Sequence, residues 1–109
     1  IVTNKPARFT RPLLKQLDLD QQVASVICGD EVTHCKPHPE PLLTASKELD
    51  VSPTDCLYLG DDIRDVQASL AAGMEPIIAR YGYLGSVEPP EEWGARHMID
   101  QPQELLNHL

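Results

Sequence analysis

Cys56-Leu57-Tyr58-Leu59-Gly60-Asp61-Asp62-Ile63-Arg64-Asp65 is the stretch on which the reading of this chain turns: an apolar run ends at a glycine, and three carboxylates follow within five residues. A short apolar run closed by a turn residue suits a buried strand. Beyond Asp65, Val66, Leu70 and the intervening alanines carry helical spacing. The acids therefore stand where a strand hands over to a helix, and in open α/β sheets ligands bind at the carboxyl ends of the strands. Two readings of the acids are open at this point. One is capping, with Asp61 or Asp62 as N-cap and Asp65 in the first turn, favoured by the helix dipole. The other is a hard cation: like charges this close resist ionising together, and clustered carboxylates suit Mg2+ beside phosphates. One acid is enough for a cap and three together suit a cation; this segment alone leaves both readings open.

The flanking sequence extends the alternation of strand and helix. Ile1 to Thr3 reads as the end of a buried strand and Asn4-Lys5-Pro6 as a turn. Phe9, Leu13, Leu14 and Leu17 recur at helical spacing from Ala7 to Leu17, with Pro12 inside the pattern. Val23 to Cys28 is expected to form a second strand. A polar loop from Glu31 to Pro39 leads to a helix that opens at Pro41 and runs to Leu49. Cys56 to Leu59 is the third strand, Ile63 to Ala72 its helix, and Gly73 a C-cap. Glu75 to Arg80 reads as a fourth strand, 81–93 as a Gly/Pro-rich loop, His97-Met98-Ile99 as a fifth strand, and Leu105 and Leu106 as part of a closing helix from Pro102. This order implies an α/β fold, Rossmann-like, with a parallel sheet and helices on both faces.

The composition narrows the function. The chain has 109 residues, enough for one domain, with 9 basic and 17 acidic side chains and a formal charge of -8. That balance argues against a nucleic-acid groove or an anionic membrane surface. No apolar run approaches membrane-spanning length and no signal peptide is visible. Cys28, Cys35 and Cys56 form no CxxC pair and suggest no disulfide framework, so a cytoplasmic location is expected. Cys35 beside Lys36 and His34 reads as an incidental loop thiol. His34, His97 and His108 have no metal-ligand spacing among them, and His38 reads as a surface loop histidine. The chain opens without methionine, as expected of a segment of a longer protein.

Three strand ends carry polar groups: Thr3-Asn4 after the first, Lys36 by a loop after the second, and Asp61, Asp62 and Asp65 after the third. In a parallel alternating fold these ends share one sheet edge. A hydroxyl and backbone amide to hold phosphate oxygens, a lysine charge and a carboxylate site for Mg2+ would together neutralise a transferring phosphoryl group. Taken singly, Thr3 is a strand-end hydroxyl and Lys36 a solvated loop lysine; the conjunction is what is specific.

The conjunction resembles the haloacid dehalogenase superfamily of phosphatases. Val2-Thr3-Asn4-Lys5 is similar to its second motif, Lys36-Pro37-His38-Pro39-Glu40-Pro41 to its third and Gly60-Asp61-Asp62-Ile63-Arg64-Asp65 to its fourth. Lys36 through Leu43 is similar to bacterial phosphoglycolate phosphatases. Arg80-Tyr81-Gly82-Tyr83 and Trp93-Gly94-Ala95 are similar to the related N-acetylmuramic acid 6-phosphate phosphatases. The resemblance implies that Thr3 and Asn4 bind phosphate, and that Lys36 pairs with the phosphate and a nucleophilic aspartate. It implies that Asp61 ligates Mg2+ and Asp65 acts on it through water; Asp62 stands where relatives often have Ser. It also implies a small phosphorylated metabolite as substrate, such as phosphoglycolate or a sugar phosphate.

One element of the family's pattern is absent. No Asp-x-Asp first motif follows an apolar run; Leu17-Asp18-Leu19-Asp20 has the letters but follows a helix. The cap domain that normally lies between the first and second motifs is absent as well. Residues 1–109 are therefore expected to be the C-terminal portion of a core domain lacking its first, central strand. The gap would be filled by the N-terminal segment of the parent or by another copy of the chain. The segment alone is expected to be inactive, and the parent to work through an aspartyl-phosphate. A metal-independent dehalogenase fits the dense acids less well. The competing classes are a phospho-accepting receiver module, disfavoured because its acid pair precedes its lysine, and a non-catalytic interaction domain with a degenerate site.

Overall fold

Leu57–Gly60 (β1), Glu75–Ala79 (β2) and His97–Ile99 (β3) pair in parallel in the order β1-β2-β3, with Leu59 opposite Ile77 and Ile77 opposite His97. The structure, a computed structural model, describes residues 1–82, 84–85 and 88–109. Three α-helices accompany the sheet: Ala7–Gln16 (α1), Glu40–Leu49 (α2) and Ile63–Ala72 (α3). Parallel neighbours need a crossover connection. Between β1 and β2 that crossover is α3, which packs on both strands and on α2. The architecture is α/β and Rossmann-like, as the alternation of strands and helices implies.

The handover from β1 to α3 follows from local chemistry. Asp62 is the N-cap, in extended backbone, and its carboxylate accepts the Arg64 N–H at 2.9 Å. Asp65 closes the capping box by accepting the Asp62 N–H at 3.1 Å. Gly73 ends the helix at φ 81°, a left-handed conformation that glycine adopts without a Cβ penalty. These caps set where the strand stops and which way its acids point.

The core lies around α3. Leu42, Ala68, Ala72 and Met74 form one buried cluster, with Val2, Cys56 and Tyr58 packed against it. Val66, Ile78 and Trp93 form another. Ile77 and Ile78 are fully covered, and each side chain of this size contributes about 1.5–3 kcal/mol on burial. Trp93 anchors its loop, with Nε1 donating to Glu88 O at 3.0 Å. Among the described residues no helix is long and apolar enough to cross a membrane.

Three expectations need correction. The second strand, expected over Val23 to Cys28, is reduced to one parallel bridge between Val2 and Ile27. Thr3 N–H donates to Ile27 O and Ile27 N–H to Ile1 O, and with only Ile1 to Thr3 opposite it the segment has no longer ladder to join. The closing helix from Pro102 is a 3-10 helix, Pro102–His108; with Leu105 only half-buried and Leu106 exposed, little apolar surface holds it down. In α1, Phe9, Leu13 and Leu17 are exposed and only Thr10 and Leu14 are buried. That helix packs chiefly on the turn at Gly29–Glu31, with its first N–H donated to Asp30 Oδ1 at 2.9 Å.

Between the Val2–Ile27 pair and β1 lies an apolar slot of about 170 Å³, lined by Val2, Leu42, Ala45, Leu57, Tyr58 and Met74 among others. β1 pairs with β2 on one edge only. Across the slot, Tyr58 OH donates to Val2 O at 3.1 Å and Lys36 Nζ donates to the same carbonyl at 3.2 Å. The two pieces of sheet are held apart and tied by side chains rather than by backbone pairing.

Candidate functional site

Above the slot, at the carboxyl ends of the strands, Thr3, Asn4, Lys5, Lys36, Asp61, Asp62, Arg64 and Asp65 line a cleft of about 210 Å³. All six residues singled out in the sequence stand around this one cleft, brought there from three separate stretches. Lys36 is at its centre. Its Nζ donates to Asp65 Oδ1 at 2.7 Å, to Tyr58 OH at 3.1 Å and to Val2 O at 3.2 Å. Both charged side chains are nearly buried, at 11% and 9% exposure, so this is a desolvated ion pair and not a surface contact. Burial acts most strongly on the Lys36 ammonium and pulls its pKa down. Tyr58 and Asp65 together outweigh that pull and hold it above the ordinary lysine value. Burial pushes the Tyr58 hydroxyl up, against the attraction of Lys36. At neutral pH the lysine is charged and the tyrosine is not.

Asp65 has both oxygens engaged. Oδ1 takes Lys36, and Oδ2 accepts the backbone N–H groups of Asp61 and Asp62, each at 3.1 Å. It therefore holds the lysine and the turn carrying Asp61 in one arrangement. Asp62 is turned outward, paired with Arg64 Nε at 3.0 Å. The Arg64 hydrogen bond, followed by that of the backbone cap, keeps its carboxyl below the usual aspartate range. Asp61 lies against Gly82: a Cβ built there would stand 2.4 Å from Asp61 Cβ and 2.6 Å from its Oδ2. Only a glycine lets the 81–82 turn approach so closely.

Asn4 acts as a clamp. Its Oδ1 accepts the Lys36 N–H and its Nδ2 donates to Lys36 O, both at 3.1 Å, fixing the backbone of a residue 32 positions away. Thr3 Oγ1 accepts the Lys5 N–H at 3.1 Å, which leaves its own proton to donate. Of the Arg80-Tyr81-Gly82-Tyr83 stretch, Gly82 borders the site. Arg80 instead pairs with Asp100 at 2.9 Å and Glu91 at 3.2 Å, and Tyr83 lies outside the described residues.

Sequence reasoning passed over Tyr58, which had a signal: a hydroxyl-bearing aromatic in a buried run, two residues before the glycine that ends it, needs a hydrogen-bond partner. For Gly82 the signal was its place in the strand-end stretch Arg80-Tyr81-Gly82-Tyr83, which could border the site or serve as packing and turn chemistry. The donor set of the cleft is mixed in a useful way. Carboxylate oxygens suit a hard divalent cation and no imidazole or thiolate competes for it. The ammonium and hydroxyl beside them suit an anion.

Residues 1–79 match the family model of haloacid dehalogenase-like hydrolases. The chain is 44% identical over 105 residues to an N-acetylmuramic acid 6-phosphate phosphatase of Pseudomonas putida, covering 96% of this chain and 47% of that protein. It is 46% identical over 105 residues to a phosphoglycolate phosphatase of Xylella fastidiosa, covering 96% and 46%. A crystal structure of a HAD-superfamily hydrolase of subfamily IA from Geobacter sulfurreducens superposes with a TM-score of 0.83 at 26% identity, over 99% of this chain and 50% of that one. The chain thus spans about half the length of the curated relatives it matches. With its family model matched over most of its length and its fold shared with a solved member, this chain belongs to the haloacid dehalogenase-like hydrolases.

Proposed function

We propose that the full-length protein containing these residues is a Mg2+-dependent phosphate monoester hydrolase of the phosphoglycolate phosphatase type. The observation that carries this reading is the cleft in which Lys36, held by Asp65, faces Thr3, Asn4 and Asp61. The names of the relatives, a phosphoglycolate phosphatase and an N-acetylmuramic acid 6-phosphate phosphatase, supply the substrate class: a small phosphorylated acid or sugar.

In this reading each residue of the chain has one task. The Thr3 hydroxyl donates to a phosphate oxygen, and the Asn4 backbone adds a second donor while its side chain stays on Lys36. The Lys36 ammonium lies between phosphate and nucleophile and offsets the charge that accumulates as they approach. Its fixed position matters because preorganised charge needs no rearrangement at the moment of reaction. Asp61 holds Mg2+, and the clustered oxygens around it fit that ion's chemistry. Asp65, whose oxygens are already engaged, would reach the ion only through water and serves chiefly to position Lys36. Asp62, turned outward onto Arg64, caps the helix and shapes the turn that carries Asp61. When bound, Mg2+ polarises the phosphoryl oxygens.

The nucleophile is an aspartate of the parent lying before residue 1; it attacks phosphorus as the bond to the substrate's ester oxygen breaks, the alcohol leaves with a proton from the second acid of the parent's first motif, and water then hydrolyses the aspartyl-phosphate to inorganic phosphate. Its strand fills the apolar slot between Val2 and β1. Support comes from the unpaired edge of β1, the apolar lining of the slot, and relatives about twice as long as this chain. A second copy of the chain is the alternative occupant. Residues 1–109 alone then have no turnover.

The test is phosphate release by the full-length protein from 2-phosphoglycolate and N-acetylmuramic acid 6-phosphate, with Lys36→Ala and Asp61→Asn alongside. The reading requires both variants to lose about 10²-fold or more in kcat, as expected when a charge directed at the transition state is removed. Excess Mg2+ should recover little of the Asp61→Asn loss. Wild-type rates in either variant would sink the assignment.

A further inference from the structure

The loop that delivers Lys36 to the cleft carries a second set of ligating side chains. His34, His38 and Glu40 each present a donor atom within 4.8 Å of the other two, the one such group found among the described residues. The two imidazole rings stack, with centroids 4.6 Å apart and planes inclined by 23°. His34 Nδ1 lies 3.2 Å from Glu40 Oε1, and the Glu40 N–H donates to His38 Nδ1 at 3.1 Å. Both rings therefore turn Nδ1 towards the residue that opens α2. The Glu40 carboxylate is itself held, accepting Thr33 N–H at 2.7 Å and His34 N–H at 3.3 Å. Lys36, midway between the histidines, sends its side chain into the cleft and takes no part.

The His34–Glu40 contact at 3.2 Å accounts for one imidazole but not for the second stacked upon it. His38 Nδ1 accepts the Glu40 N–H, so its lone pair faces the residue whose carboxylate His34 touches. That is the donor set a borderline divalent ion takes: imidazole nitrogen and carboxylate oxygen, with water completing a tetrahedron. Ligands of such an ion sit about 3.3 Å apart at metal–ligand distances of about 2.0–2.1 Å. Both rings are exposed, and closing the remaining ångström or so exchanges their present Nδ1 contacts for the ion. Mg2+ prefers oxygen donors throughout, so the imidazoles select against it.

We propose that His34, His38 and Glu40 form a surface site for a divalent transition-metal ion of the Zn2+ class, distinct from the Mg2+ and phosphate cleft. Binding exchanges the Glu40 N–H bond to His38 Nδ1 for a coordinate bond and ties the 34–38 loop to the start of α2. Because that loop presents Lys36, the ion also braces the cleft from behind. The site stands on its own geometry and needs no phosphatase activity.

The test uses the full-length protein with Mg2+ in excess. Zn2+ is titrated against a chromophoric chelator, and Co2+ is substituted to read nitrogen ligation from its visible spectrum. The expected result is one Zn2+ per chain, with a tetrahedral Co2+ spectrum. His34→Ala and His38→Ala should each weaken Zn2+ by more than the roughly ten- to hundredfold that losing an outer hydrogen-bond partner costs. Asp61→Asn should leave Zn2+ affinity unchanged. Both histidines are exposed, so these replacements spare the core. No Zn2+ uptake over Mg2+, unchanged affinity in both histidine variants, or loss of uptake in Asp61→Asn would each overturn the proposal. Failure of phosphate release with Zn2+ uptake intact would count against the phosphatase reading alone.

Discussion

Replacing Asp65 by Asn keeps the volume of the side chain and removes one charge, which isolates what the Lys36–Asp65 pair contributes. The pair is 2.7 Å long and nearly buried on both sides. In Asp65→Asn the amide oxygen can still accept the Asp61 and Asp62 N–H groups, but its NH2 then faces the Lys36 ammonium, donor against donor. Lys36 is left with the Tyr58 hydroxyl and the Val2 carbonyl. An unpaired buried charge of this kind costs about 3–5 kcal/mol, against a total stability of about 5–15 kcal/mol for a small domain. Asp65→Ala should cost more, because two backbone amides also lose their acceptor at about 1–3 kcal/mol each. The assay is urea unfolding followed through Trp93, the chain's one tryptophan and a member of the core. At a slope of about 2 kcal/mol/M, Asp65→Asn moves the midpoint down by roughly 2 M. The double variant Lys36→Met/Asp65→Asn removes both charges and should recover most of the loss. If Asp65→Asn costs less than about 0.5 kcal/mol, the scale of an ordinary surface change, or if the double variant is no better than the single one, the pair is not what organises the cleft.

Two further predictions rest on other parts of the site. Gly82→Ala places a methyl 2.4 Å from Asp61 Cβ. In the full-length protein it should weaken Mg2+ dependence of phosphate release by displacing Asp61, with little change in unfolding midpoint; unaltered Mg2+ titration would refute the contact. On the acid side, Arg64 holds the Asp62 pKa below its ordinary 3.8, so the stability it contributes is present above that pH. It is lost as pH falls through the lower folded value. Glu31, Glu40 and Asp100 are shifted the same way and share this limb. Asp62→Asn should make the fall in unfolding midpoint below pH 3.8 shallower; an unchanged acid limb would contradict it.

What could be read from the sequence was what depends on near neighbours. The bounds of α3 follow from Asp62 and Gly73, whose cap geometry is written in adjacent residues. The run from Leu57 to Gly60 announced a buried strand, and the acids after it announced a site. Pairing was harder, because a ladder needs a partner. Val23 to Val26 have β-forming residues and alternation but too little opposite them, so Ile27 alone bridges. The cross-chain contacts were invisible for the same reason. Nothing near Asn4 says that its side chain will clamp Lys36, 32 residues on, and nothing near Tyr58 says that it will reach Val2 across 56. His34, His38 and Glu40 come together only through the path of their loop, which the spacing of histidines along the chain does not show.

In the proposed enzyme this chain holds the phosphate and metal half of a site whose nucleophile arrives on a strand from outside it. The most direct measurement is Mg2+-dependent phosphate release from 2-phosphoglycolate or N-acetylmuramic acid 6-phosphate by residues 1–109 alone, and by the same residues joined to the preceding segment of the parent. The expected result is no turnover from the isolated chain and turnover from the joined one. Ordinary enzymatic rates from the isolated chain, or none from the joined protein with either substrate, would contradict it.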